Sequence, residues 1–143
     1  MKSLVGNMKP AGTTNQAIGL QLGWMSLTGG GPFTVPNLNP NYTYTHVIIL
    51  LTDGLNTQDR WYGNGSQIST QVDARMNLAC TNAKAAGMTI YTIQVNTSND
   101  PTSTVLQNCA SSTSNFFTVT SSGQINTVFN QIGTQLSKLR IAK

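Results

Sequence analysis

Glutamate is missing from this chain of 143 residues, and four aspartates, Asp53, Asp59, Asp73 and Asp100, are its only acidic side chains. Histidine occurs once, as His46, and cysteine twice, as Cys80 and Cys109. Charged residues make up 8% of the sequence, against about 25% in an average soluble protein. No apolar run reaches the length that spans a bilayer. The first residues, Met-Lys-Ser-Leu-Val-Gly, also lack the apolar core of a secretory signal. The expectation is therefore either a cytoplasmic chain or one whose true amino terminus has been cut away. The net charge of +4 reflects scarcity of acids more than abundance of bases. Lys2, Lys9, Arg60, Arg75 and Lys84 are scattered, and only Lys138, Arg140 and Lys143 lie close together, at the end of a predicted helix where cations offset the macrodipole. That distribution argues against a nucleic-acid partner.

What is present is abundant Thr, Asn, Ser and Gln, with 38% hydrophobic residues, the composition of one globular domain over 1–143. Its most informative stretch is Val47-Ile48-Ile49-Leu50-Leu51-Thr52-Asp53-Gly54. Five apolar residues without alternation predict a strand covered on both faces, as in a parallel sheet between helices. Ligands of such sheets sit beyond the carboxyl ends of the strands, which is where Asp53 stands, with Gly54 letting the chain turn. An Asp that merely caps the loop or the next helix is the plainer alternative.

Along the chain, residues 2–8 read as the end of a helix closed by Lys9-Pro10-Ala11-Gly12. A second helix is expected from Thr13 or Thr14 to about Leu27, with apolar stripes on more than one side, Ala17/Leu20/Trp24/Leu27 and Ile18/Leu22/Met25. Residues 28–45 read as irregular loop before the strand at 47–52, and 53–68 as a loop carrying Trp61 and Tyr62 on a Gly/Asn-rich rim. These aromatics suit a partner surface or packing beneath the loop. Apolar spacing from Val72 to Ala83 predicts a helix that stops at Gly87. A strand at Thr89–Val95 follows, then a short helix capped by Asp100 and opened by Pro101, ending near Ala110. A third strand is expected at Asn115–Thr120, and a last helix from Ser121 or Ser122 with Ile125, Val128, Phe129, Ile132, Leu136 and Leu139 on one face. Strand–helix alternation of this kind predicts an α/β fold with a parallel sheet and helices on both faces.

Cys80 and Cys109 fall on helices flanking one strand, and right-handed crossovers advancing the same way would set those helices side by side. A bridge between them would close a loop of about 30 residues and stabilise by about 3 to 4 kcal/mol. Two buried reduced thiols are the alternative.

Gly12-Thr13-Thr14-Asn15-Gln16-Ala17-Ile18-Gly19-Leu20, followed by strand-Thr52-Asp53-Gly54, resembles the second and third motifs of a von Willebrand factor A domain. That family builds a metal-ion-dependent adhesion site from an Asp-x-Ser-x-Ser loop after the first strand, a Thr in a Gly-rich loop, and an Asp after the fourth strand. The resemblance implies that Thr14 and Asp53 are metal ligands for Mg²⁺ or Mn²⁺, which favour hard oxygens. Trp24-Met25-Ser26-Leu27, Asp53-Gly54-Leu55-Asn56-Thr57, Cys80 with Lys84-Ala85-Ala86-Gly87, Leu106-Gln107-Asn108-Cys109-Ala110 and Phe129-Asn130-Gln131-Ile132-Gly133 are similar to the TadG-like proteins of bacterial tight-adherence (Flp) pilus assembly.

In that family a membrane segment anchors the von Willebrand A-like region outside the cytoplasmic membrane. The resemblance thus implies a periplasmic or envelope location, a bridged Cys80–Cys109 pair and a protein partner; Asn56, Trp61 and Tyr62 on the loop at 53–68 are the candidate rim for such a partner. The chain departs from the pattern in having no Asp-x-Ser-x-Ser. It is expected to correspond to the carboxyl-terminal portion of such a protein, its first strands and membrane anchor lying upstream. Metal should then be held weakly or not at all, with Asp59 a solvated loop carboxylate. The strand at 47–52 would be left as an open edge suited to self-association.

Three functions follow. The first is a non-enzymatic adhesion or assembly module of the pilus system, with metal-assisted binding in the complete domain. The second is a metal-free structural scaffold. The third, a hydrolase using Asp53, lacks support: there is no Gly-x-Ser-x-Gly elbow, no phosphate-binding Gly-rich loop and no second carboxylate beside Asp53. His46 lies at the far end of the same strand, roughly 23 Å away at strand rise.

Overall fold

The computed structural model describes residues 2–9 and 11–139. Pro10, Arg140 and Lys143, named above in a helix end and in the cationic cluster, lie outside the described residues, as does the side chain of Leu139. After a short exposed helix α1 (Lys2–Gly6) come α2 (Gln16–Thr28), β1 (Val47–Thr52), α3 (Thr70–Ala85), β2 (Thr89–Val95), α4 (Thr104–Cys109), β3 (Phe116–Val119) and α5 (Ser122–Leu139). The three strands are parallel in the order β1-β2-β3. This is the α/β sheet that the strand–helix alternation predicts.

Side chains alternate across the strands and divide the core in two. On one face Ile48 and Ile90 meet Leu20 of α2, Met76 of α3 and Leu106 of α4. On the other, Tyr91, Ile93 and Val119 meet Val128 and Ile132 of α5. Double burial falls on β2, where Ile90 to Gln94 are all buried, and not on β1 as its composition predicts. Ile49 and Leu51 of β1 are 37% and 42% exposed, because the core under α5 centres on β2 and β3 and reaches only Val47 on that face of β1.

Local chemistry explains the other differences. Helix α2 starts at Gln16 and not at Thr13 or Thr14, since the Thr14 backbone is bonded to the loop at 57–58. Only its Ala17/Leu20/Trp24/Leu27 stripe packs on the core, while Ile18 and Leu22 remain exposed. The short helix α4 is capped by Ser103, whose Oγ accepts from Leu106 N, and begins after Pro101. Asp100 is occupied elsewhere, its N–H donating to Asn96 Oδ1. Phe129 stands off the α5 stripe at 42% exposure. Helix α3 follows its sequence signals, with Ser69 accepting from Val72 N, Asp73 in the first turn and Gly87 at φ +84 past its end.

The crossovers place α3 and α4 side by side, and Cys80 and Cys109 are bridged with a Cα–Cα distance of 5.1 Å. Both are buried in the first core. Lys84 Nζ adds a hydrogen bond from α3 to Asn108 O at 2.6 Å. Because the bridge closes a separation of 29 residues, the double variant Cys80→Ser/Cys109→Ser should unfold with a stability lower by about 3 to 4 kcal/mol. Urea denaturation with and without reductant checks this, and an unchanged midpoint would show that the packed helices alone hold the loop.

Candidate functional site

Three segments meet at the carboxyl end of β1. Gly54 N and Gly54 O both engage Thr52 Oγ1, a tight turn that leaves Asp53 exposed. The segment before α2 is then sewn to the segment after β1. Thr14 N donates to Thr57 Oγ1 at 3.0 Å, and Thr57 N donates back to Thr14 O at 3.0 Å. Gln16 N donates to Asn56 Oδ1 at 2.8 Å, and Gln16 Nε2 to Gly54 O at 2.7 Å. The Thr14 hydroxyl lies against residue 54, since a Cβ there would stand 3.4 Å from Thr14 Oγ1. Thr14 and Asp53, 39 positions apart by number, are thus brought to one loop cluster.

Asn56 does not stand on the rim. It is 1% exposed, and its Nδ2 donates to Asp73 Oδ1 at 2.8 Å while Ser69 N donates to its backbone oxygen. Its amide ties three segments together, the start of α2, the loop after β1 and the start of α3. Gln16, which sequence reasoning passed over, does similar service from inside at 6% exposure. No periodicity marks either residue, because both are polar side chains buried by loop contacts.

Trp61 and Tyr62 are exposed, at 65% and 44%. The Arg75 guanidinium of α3 lies 4.4 Å from the Trp61 ring centre and 5.2 Å from that of Tyr62. Beneath them Asp59 folds back and is not a solvated carboxylate: its side chain is 4% exposed, with Arg75 Nε 3.4 Å from Oδ2. The N–H groups of Trp61 and Tyr62 both donate to Asp59 Oδ1 at 2.7 Å. Burial, the largest single influence, raises the Asp59 pKa, but the two backbone donors and the Arg75 charge together outweigh it and hold it below the ordinary value. Beside this stack runs a groove of about 490 Å³ lined by Ile18, Leu22 and Met25 of α2, Trp61, and Arg75 and Ala79 of α3.

The oxygen side chains of the cluster differ in how far they are already engaged. Thr14 and Asp53 offer hard oxygens, but Asp59 is bound to its own loop and to Arg75, and Asp73 accepts from Asn56. Among the described residues no group of three or more His, Cys, Asp or Glu gathers to hold a cation. Thr14 and Asp53 could supply two oxygens of an octahedral Mg²⁺ set, whose other positions would fall to waters or further ligands.

The von Willebrand factor type A domain model matches residues 33–131, more than half of the chain, a range that holds Asp53 and stops short of Thr14. Two solved structures of proximal thread matrix protein 1 from the mussel byssus are similar, at 20% and 23% identity, each with a TM-score of 0.54 over 92% of this chain. The chain spans 26% and 27% of those chains. At that identity the likeness shows the fold alone. No curated protein matches the sequence.

The Asp59 arrangement has a pH signature. Its folded pKa is depressed below the ordinary 3.8, so its stabilisation is complete above that value and is lost as the pH falls through the lower folded value. Asp59→Asn should therefore lower stability at neutral pH and narrow the stability difference from wild type on acidification. Urea midpoints measured down the acid limb check this, and a difference that stays constant with pH would overturn the assignment.

Proposed function

The chain belongs to the von Willebrand factor type A family, and on that premise we propose that it is a non-enzymatic protein-binding module of adhesion or assembly, serving a Tad (Flp) pilus system in the bacterial periplasm or envelope. The observation that carries this reading is the stack of exposed Trp61 and Tyr62 on Arg75, beside an apolar groove and on the loop that Asp53 opens. Trp, Tyr and Arg are the residue types that concentrate binding energy at protein interfaces. Asp59 and the paired backbone donors hold the loop in one shape before a partner arrives, which reduces the entropy lost on binding. The polar cluster around Thr14 and Asp53 offers neither an activated nucleophile nor an acid–base pair: His46 is on the amino-terminal side of β1 and Asp53 on its carboxyl side.

The pilus assignment rests on the sequence resemblance, and so does the envelope location, in keeping with the bridged cysteines and the weakly charged surface. Within this reading the donor set favours binding by this chain without metal. Mg²⁺ or Mn²⁺ would be held by Thr14 and Asp53 only with further oxygens supplied from outside the described residues, as in a complete adhesion site.

Binding of purified Tad pilus and envelope proteins to the immobilised chain tests the function. Trp61→Ala should weaken capture of the true partner about 30-fold or more, the range of an interface anchor. Equal capture by wild type and Trp61→Ala, or no capture of any pilus component, would overturn the assignment. Calorimetric titration with Mg²⁺ or Mn²⁺ should give no affinity tighter than about 1 mM, and Asp53→Ala should barely alter it. Tight, Asp53-dependent binding would reveal ligands beyond those two.

A further inference from the structure

The groove beside Trp61 is uneven in its chemistry. Ile18, Leu22 and Met25 follow one another along α2 at four-and-three spacing, and Ala79 lines it from α3. Helix α2 carries no charged residue, so this stretch, about 10 Å long at helical rise, is uncharged and mostly apolar. The charged residues that line the groove, Asp59, Arg60 and Arg75, all stand at the end where the loop after β1 meets the starts of α2 and α3. Asp59 and Arg75 are committed to each other, with Nε 3.4 Å from Oδ2. Arg60 is exposed, lies 5.7 Å from the Trp61 ring centre and has no carboxylate partner among the described residues. Both helices turn their amino termini, the positive poles of their dipoles, to this same end. The groove thus joins an apolar length to a cationic mouth.

We infer that the groove takes an amphipathic helix of another protein, with its apolar stripe on Ile18, Leu22 and Met25 and an Asp or Glu beside that stripe paired with Arg60. The inference rests on the protein-binding reading above and names the chemistry of the partner at that site.

Charge decides the sign of the partner. A lysine or arginine beside its stripe would meet Arg60 and two helix amino termini, and the one acid in the groove wall is already held by Arg75. A guanidinium suits a carboxylate because its planar fork binds both oxygens through parallel N–H groups, and its weak hydration lets it do so against an aromatic ring. Spacing decides the form. Positions 18, 22 and 25 span two helical turns, the length that a partner helix covers with residues at i, i+3 or i+4, and i+7. A second copy of this chain does not supply such a helix. Among the described helices only α3 holds an acid, Asp73, and that carboxylate accepts from Asn56 Nδ2. The walls of the groove come from α2, α3 and the loop that follows β1, and no part of the β1 edge enters them.

Two fluorescently labelled, side-chain-stapled helical peptides test this. Both carry leucines at i, i+4 and i+7, flanked by Glu in one and by Lys at the same positions in the other. Anisotropy titration should show the Glu peptide binding about 10-fold tighter or more, and Arg60→Glu should invert that order. Leu22→Asp should weaken the Glu peptide about 10-fold or more. Arg60 and Leu22 are both exposed, so each variant should keep the urea midpoint of the wild type. The NMR signals of the Trp61 indole N–H and of the Ile18 and Met25 methyl groups should shift together as the Glu peptide is added. Equal affinity for the two peptides, no binding of either at about 1 mM, an order unchanged by Arg60→Glu, or shifts confined to other surfaces would each overturn the inference. Phosphatidylglycerol vesicles that bind through Arg60 while neither peptide binds would give the surface to a membrane instead. Failure of the protein-binding reading has a different signature, equal capture of pilus proteins by wild type and Trp61→Ala. A pilus protein captured through Trp61, yet neither displaced by the Glu peptide nor affected by Arg60→Glu, would leave the binding module standing and remove the acidic helix.

Discussion

Burial of β2 on both faces is the constraint from which much of the remaining structure follows. Five consecutive residues, Ile90 to Gln94, are shut away from water, and two of them are polar. An unpaired polar group in such a place costs about 1 to 3 kcal/mol, so the neighbouring segment has to be shaped to meet it. Thr92 Oγ1 donates to Leu106 O, Gln94 Nε2 donates to Pro101 O, and Gln94 Oε1 accepts from Ser103 N. These bonds fix where α4 begins and how it lies on the sheet. With α4 so placed, Cys109 comes within bonding reach of Cys80 on α3. The disulfide therefore locks an arrangement that buried polar groups of the central strand have already selected.

The same bonds explain which features were legible in the sequence. Hydrophobic spacing predicts α3, β2 and α5, because their burial follows from their own residue patterns. The start of α4 is not visible in that way. Asp100-Pro101 is the stronger local signal for a helix start, yet Ser103 caps it, since Pro101 O and Ser103 N are committed to Gln94. Strand β1 reads as a central strand by composition, but its outer face depends on how far α5 reaches across the sheet, which no residue of β1 encodes. Phe129 matches the α5 spacing and still projects into solvent.

At the candidate site, motif spacing singles out Thr14 and Asp53, and the Gly/Asn-rich loop the aromatics, whereas the joining role of Gln16 and Asn56 has no sequence signal, Asn56 being expected on the rim. Gln16 and Asn56 are ordinary polar residues in a chain rich in them. Their importance arises from burial at 6% and 1%, where each hydrogen bond made to a neighbouring loop replaces one lost to water. Asp59 is the clearest case. A lone loop aspartate has no sequence feature to show that its own backbone will fold over it and that an arginine from α3 will close on it.

The shape of the proposed binding surface consequently depends on residues that lie beneath the aromatic loop. Gly63 and Gly65 hold φ values of +89 and +83, and a Cβ at Gly63 would collide with Thr57 O, one at Gly65 with Thr13 Cγ2. Both glycines keep the aromatic loop pressed against residues 57–58, where Gln58 bridges to Gly63 and Gly65 N donates to Thr57 O. Thr57 in turn exchanges bonds with Thr14. A side chain at position 63 would displace the loop from Thr57, and the shift would reach Thr14 and Asp53 through the same bonds while moving Trp61 away from Arg75. The aromatic loop, helix start and strand end at this end of the sheet are therefore one mechanical unit, and Gly63 and Gly65 set its shape.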